Sequence, residues 1–151
     1  MADALAWQAV GEVNRIEQRF ATLRNQGRKG LILYIGAGDP DLATTIALAR
    51  AFDEAGVDVL ELGVPFSDPL ADGVVNQLAA QRGLDSGTTP DRVLSMVTAL
   101  RRDSQIPVVL YVYFKLLHRY GFSRLLEDAA KAGVDALLLL DLQPEASGDY
   151  V

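Results

Sequence analysis

Residues 58–73 read DVLELGVPFSDPLADG, and the fold turns on the first part of that stretch. DVLELGV (58–64) has the length and apolar character of a buried strand, yet it carries Glu61 at its centre. Side chains alternate across a strand, so Leu60 and Leu62 share one face and Val59, Glu61 and Gly63 the other. The leucines suit packing beneath helices. The glutamate points to the opposite side, which is a second helix layer in an open sheet or the interior in a barrel.

Working outward, the apolar spacing of Val13, Ile16, Phe20 and Leu23 predicts a helix over 9–23. LILYI (31–35) reads as a strand and 42–55 as a helix ended by Gly56. After the quoted loop come a helix over 74–84 and another that Thr89 caps, with Pro90 at its first position. IPVVLYVYF (106–114) reads as a third strand, SRLLEDAAKAG (123–133) as a helix and VDALLLLDL (134–142) as a fourth strand. Continuous apolar strands alternating with helices predict an α/β fold with a parallel sheet. EAGVDVLELGVPFSDP at 54 and KAGVDALLLLDLQPEA at 131 repeat one plan: a helix end, an apolar strand and an acidic loop containing proline. That echo argues for repeated (β/α) units in a single domain over 1–151.

A carboxylate on the inner face of such a sheet is desolvated and suited to general acid/base work, unless a lysine or arginine occupies it. Asp72 is either the N-cap of the helix near Val74 or a second carboxylate carried over the mouth. Asp68, before Pro69, suits a turn in which its side chain bonds backbone amides. Gly36 and Gly38 after the first strand resemble a dinucleotide fingerprint, but Asp41 stands where its third glycine belongs. A cap-and-turn role for Asp39, Pro40 and Asp41 fits better.

Composition narrows the function classes. Twenty acids against fourteen bases give a formal charge of −6, which disfavours nucleic acid or an anionic membrane as partner. There is no cysteine and a single histidine, His118, so neither a disulfide framework nor a polyhistidine metal site is expected. The N-terminal residues do not read as a signal peptide, and the expected location is cytoplasmic.

GVDVLELGVPFSDPLADG (56–73) resembles the signature of the tryptophan synthase alpha subunit family. NRIEQRF (14–20), AGDPDLATT (37–45), PVVLY-x-Y (107–113), RYG (119–121) and AGVDALLLLDLQPE (132–145) follow in that family's order. The resemblance implies a TIM (β/α)8 barrel, of which 1–151 supplies about the first four strand–helix units. It also implies a lyase that cleaves indole-3-glycerol phosphate to indole and glyceraldehyde 3-phosphate in tryptophan biosynthesis. Glu61 is then the general acid/base, and Asp72 accepts the indole N–H and stabilises the developing positive charge. Tyr34, Tyr113 and Asp141 match substrate-binding positions. No metal or organic cofactor is implied, and the implied partner is the beta subunit.

Gly36, Asn76 and Lys115 depart from the family pattern, standing for threonine, a branched apolar residue and asparagine respectively. A full barrel takes about 250 residues. A chain of 151 is therefore expected to have little activity alone, and to associate through open sheet edges. A non-catalytic half-barrel whose job is association is the alternative.

Overall fold

The computed structural model describes residues 14–143. Helix α1 (Arg15–Asn25) opens that span, followed by β1 (Ile32–Gly36), α2 (Leu42–Glu54) and β2 (Val59–Gly63). Next come α3 (Val74–Asp85), α4 (Pro90–Leu100), β3 (Val108–Val112), α5 (Phe114–Tyr120), α6 (Phe122–Ala132) and β4 (Ala136–Leu139). The part of the predicted first helix before Asn14 lies outside the described residues.

The four strands pair in parallel in the order β1-β2-β3-β4. One face is the core. Leu60, Leu62, Val108, Leu110 and Val112 are buried there against Val93, Val97 and Leu100 of α4 and Leu125 and Ala129 of α6. Burying a side chain of this size contributes about 1.5–3 kcal/mol, so this face holds the units together. Asn14, Asp41 and Thr89 cap α1, α2 and α4 by accepting from the amides of Ile16, Thr44 and Arg92. No helix among the described residues is long and apolar enough to cross a membrane.

The repeated AGVD has a physical basis. Asp58 and Asp135 are both buried at the start of a strand. Asp58 Oδ2 accepts from the Leu31 amide at 2.8 Å, just before β1, and Asp135 Oδ2 accepts from the Val108 amide of β3 at 2.8 Å. Each aspartate thus fastens its strand to the start of the neighbouring one. Arg101 and Arg15 also pair with Asp135, at 3.0 and 2.9 Å.

The two later strands are shorter than expected at both ends. β3 ends at Val112 instead of running to 114, and the chain turns at Tyr113 into α5. The run stays apolar because Leu117 is buried and Phe114, Leu116 and Tyr120 pack against the core as helical residues. β4 covers 136–139, inside the expected 134–142, because Val134 and Asp135 form the clasp that precedes the ladder.

Candidate active site

On the face turned away from the core, strand register sets two rows of side chains. Tyr34, Glu61, Val109 and Ala136 form the lower row; Gly36, Gly63, Tyr111 and Leu138 form the row nearer the mouth. Glu61 is only half-buried, so the full desolvation expected of it is corrected: the inner face of a four-stranded arc stays open to solvent. Among the described residues no hydrogen bond or ion pair engages its carboxylate. The alternative of a glutamate neutralised by a basic partner is therefore absent from this geometry.

Asp72 reaches the same face from the loop after β2. Tyr111 O–H donates to its Oδ1 at 2.9 Å and Tyr113 O–H to its Oδ2 at 3.0 Å. The Tyr113 hydroxyl also accepts from the Ala71 amide at 2.9 Å, which pins the loop above the sheet. Gly73 occupies the N-cap of α3 with no side-chain cap bond. The carboxylate of Asp72 is thus free of capping and bonds the two phenols instead, which sets aside its N-cap reading.

Tyr34 completes the group. Its ring meets Tyr111 edge-on with centroids 5.1 Å apart. Its hydroxyl lies over Gly63, where an added Cβ would come within 2.3 Å of it. Burial raises the Tyr34 phenol from 10.0 to about 12, and the charges of Asp72 and Glu61 act in the same direction. The Tyr111 phenol is also pushed up, by burial first and then by donating to Asp72. Phe66 packs on Tyr113 at 5.2 Å and closes one side.

The other expected residues are placed elsewhere. Asp141 does not join the cluster; its carboxylate accepts from the amides of Phe114 and Lys115 at the start of α5. Among the described residues Asp68 forms no side-chain bond to backbone amides, as its turn reading required, and instead pairs with Lys115 Nζ at 3.3 Å on the surface. Lys115, a departure from the family pattern, thus ties α5 to the Asp72 loop. Asp39 is gripped by both arms of Arg82 at 2.7 Å, which holds its carboxyl below the usual value. A Cβ on Gly38 would fall 2.0 Å from Thr88 Oγ1, so protein already packs against this turn where a pyrophosphate would need to approach.

Sequence reasoning did not single out Tyr111. The signal was present in PVVLYVYF, where tyrosines two apart share a strand face, but both also suit an apolar core.

The family profile described as "Tryptophan synthase alpha chain" matches residues 20–151. The chain belongs to the tryptophan synthase alpha chain family. It is 50% identical over 137 residues to the tryptophan synthase alpha chain of Citrifermentans bemidjiense, covering 91% of this chain and 51% of that one. The solved tryptophan synthase subunit alpha of Legionella pneumophila superposes with a TM-score of 0.88 at 39% identity, over 91% of this chain and 53% of that one. The tryptophan synthase α2β2 complex of Pyrococcus furiosus matches with a TM-score of 0.77 at 37% identity, over 80% and 48%. The chain spans about half the length of the curated relatives it matches. Its fold is that of the family's TIM barrel, with the described strands forming a four-stranded arc.

Proposed function

We propose that this cytoplasmic chain carries the proton-transfer part of a tryptophan synthase alpha-type lyase site, in the N-terminal half of one barrel domain. The reaction is the cleavage of indole-3-glycerol phosphate to indole and glyceraldehyde 3-phosphate. Glu61, as general acid, protonates C3 of the indole ring, which makes the ring cationic. Asp72 accepts the ring N–H and stabilises that charge. Loss of the proton from the side-chain hydroxyl then forms the aldehyde, while the C3–carbon bond breaks and its electron pair returns to the ring. Glu61, now the base, receives that proton.

One observation carries this reading: two carboxylates in different settings both act on Tyr34 on the same face of the sheet, Glu61 without a bonding partner among the described residues and Asp72 held by two phenols. Such a division separates proton transfer from charge stabilisation. Tyr34 and Tyr113 supply aromatic walls. Asp141 serves a substrate site indirectly, by fixing the start of α5 beside Tyr113.

A beta subunit is the proposed partner. Leu70, Val74, Val75 and Leu78 expose a run of apolar side chains beside the mouth, with Leu70 84% and Val75 78% exposed. Self-association is the second reading, favoured by β1 and β4 each having one strand neighbour among the described residues and by the exposure of Ile32 and Leu138 on them.

The test is Glu61→Gln in this chain complemented by the C-terminal half-barrel of a relative. Indole release should vanish while the solution mass of the assembly stays the same. Activity surviving the substitution removes Glu61 from the chemistry and leaves association as the function.

A further inference from the structure

Tyr111 holds a position that the proposed chemistry does not require. It rises from β3 in the row nearer the mouth, and its hydroxyl bonds Asp72 Oδ1 at 2.9 Å. Its ring lies against the edge of Tyr34. Since Tyr113 takes the other oxygen at 3.0 Å, Asp72 has an O–H on each of its oxygens. The space among Tyr34, Gly63, Phe66, Asp72, Tyr111 and Tyr113 is about 10 Å³. That is about the room one water needs.

A ring N–H that takes the place of one of these O–H groups on Asp72 displaces a phenol, and the two phenols are unequally held. Tyr113 is 4% exposed and its hydroxyl makes a second bond, to the Ala71 amide. Tyr111 is half-exposed and its hydroxyl has Asp72 alone among the described residues. Tyr111 is the phenol that yields. When it swings away, Asp72 Oδ1 loses a charge-assisted hydrogen bond, which an incoming N–H restores and a ring without a donor does not.

Building on the reading of Asp72 as acceptor for a ring N–H, we propose that Tyr111 is a specificity-determining residue. Its ring lines the space in front of Asp72, and its O–H is the bond with which a ligand N–H competes. The site thereby selects flat heteroaromatic rings that donate N–H.

The experiment titrates indole, and benzofuran as a ring of similar shape without the N–H, into the 151-residue chain, its Tyr111→Phe variant and its Tyr111→Leu variant. Ring resonances of Tyr34 and Tyr113 report binding, and the amide spectrum shows that each variant is folded. Tyr111→Leu, which removes both ring and bond, should bind indole at least about tenfold tighter than the parent. Tyr111→Phe keeps the ring and a core-like shape, and should gain by a smaller factor; it carries the test if the leucine variant fails to fold. Indole should outcompete benzofuran at least about tenfold throughout. Equal indole affinity in parent and variants overturns the role of Tyr111 while leaving Asp72 as acceptor. Indole and benzofuran binding alike, or no response to indole in any of the three, overturns the acceptor reading and this proposal with it.

Discussion

The Tyr113 hydroxyl lies 3.0 Å from Asp72 Oδ2 and 2.9 Å from the Ala71 amide, so one phenol just past β3 fixes both the carboxylate and the loop that bears it. Tyr113→Phe removes both bonds and leaves the Ala71 amide without its side-chain acceptor. The variant should lose about 1–3 kcal/mol of stability in denaturant melts. Amide exchange at Ala71 should accelerate. Unchanged exchange there would show that the loop is held by something other than Tyr113.

Gly63 has a neighbour that tolerates no side chain. A Cβ would meet the Tyr34 hydroxyl at 2.3 Å and its ring carbons at 2.8 and 2.9 Å. Gly63→Ala should cost about 1–3 kcal/mol and separate the Tyr34 and Tyr111 rings, seen as loss of their mutual nuclear Overhauser contacts. Adding Tyr34→Leu should recover most of that stability. No recovery would place the strain in the backbone.

Alkaline pH should weaken the fold through the phenols. Tyr34 moves from 10.0 to about 12 in the folded chain, and Tyr111 is raised as well. As pH climbs above 10, the unfolded chain releases its phenol protons first, so unfolding becomes easier. The contribution is complete below pH 10 and is lost as pH rises toward 12 and beyond. Across that range ultraviolet tyrosinate absorbance should rise as the melting temperature falls, and Asp72→Asn should bring the Tyr111 midpoint down. Stability flat from pH 10 to 12 would contradict the burial of Tyr34.

The two buried aspartates should differ in cost. Asp135 joins Arg101 at 3.0 Å, Arg15 at 2.9 Å and the Val108 amide at 2.8 Å, whereas Asp58 has its amide at 2.8 Å and Arg19 only at 3.7 Å. Asp135→Ala strips a partly buried Arg101 of its counter-charge and should cost about 3–5 kcal/mol. Asp58→Ala should cost less. The reverse order in parallel denaturant melts would mean that the arginines contribute little.

Assayed alone, the 151-residue chain is expected to release little or no indole. Contacts to a remote phosphate supply binding energy for the reacting end of such a substrate. The inner rows, Tyr34-Glu61-Val109-Ala136 and Gly36-Gly63-Tyr111-Leu138, contain no cation to hold one. A coupled assay for glyceraldehyde 3-phosphate measures this directly.

Much of the fold was legible because strand and helix periodicities are local. The orientation of Leu60 and Leu62 toward the helices followed from alternation alone, and so did the inward placing of Glu61. Asp72 was not decidable, because an N-cap and a loop acid look the same until the helix start is seen to use Gly73. Phe114 read as the last residue of the strand, although it opens α5, because a short apolar run fits strand and helix equally well. The part played by Asp141 had no local signature, since it caps a helix that begins 27 residues earlier in the chain.

The aspartate clasps sit where strands begin, and the phenol cluster sits where they end. Anchorage and recognition therefore occupy opposite poles of the sheet and share no side chain. Tyrosines at one pole are replaceable without loosening the ties at the other, so under the proposed reading the ring-shaped guest can change while the backbone stays put.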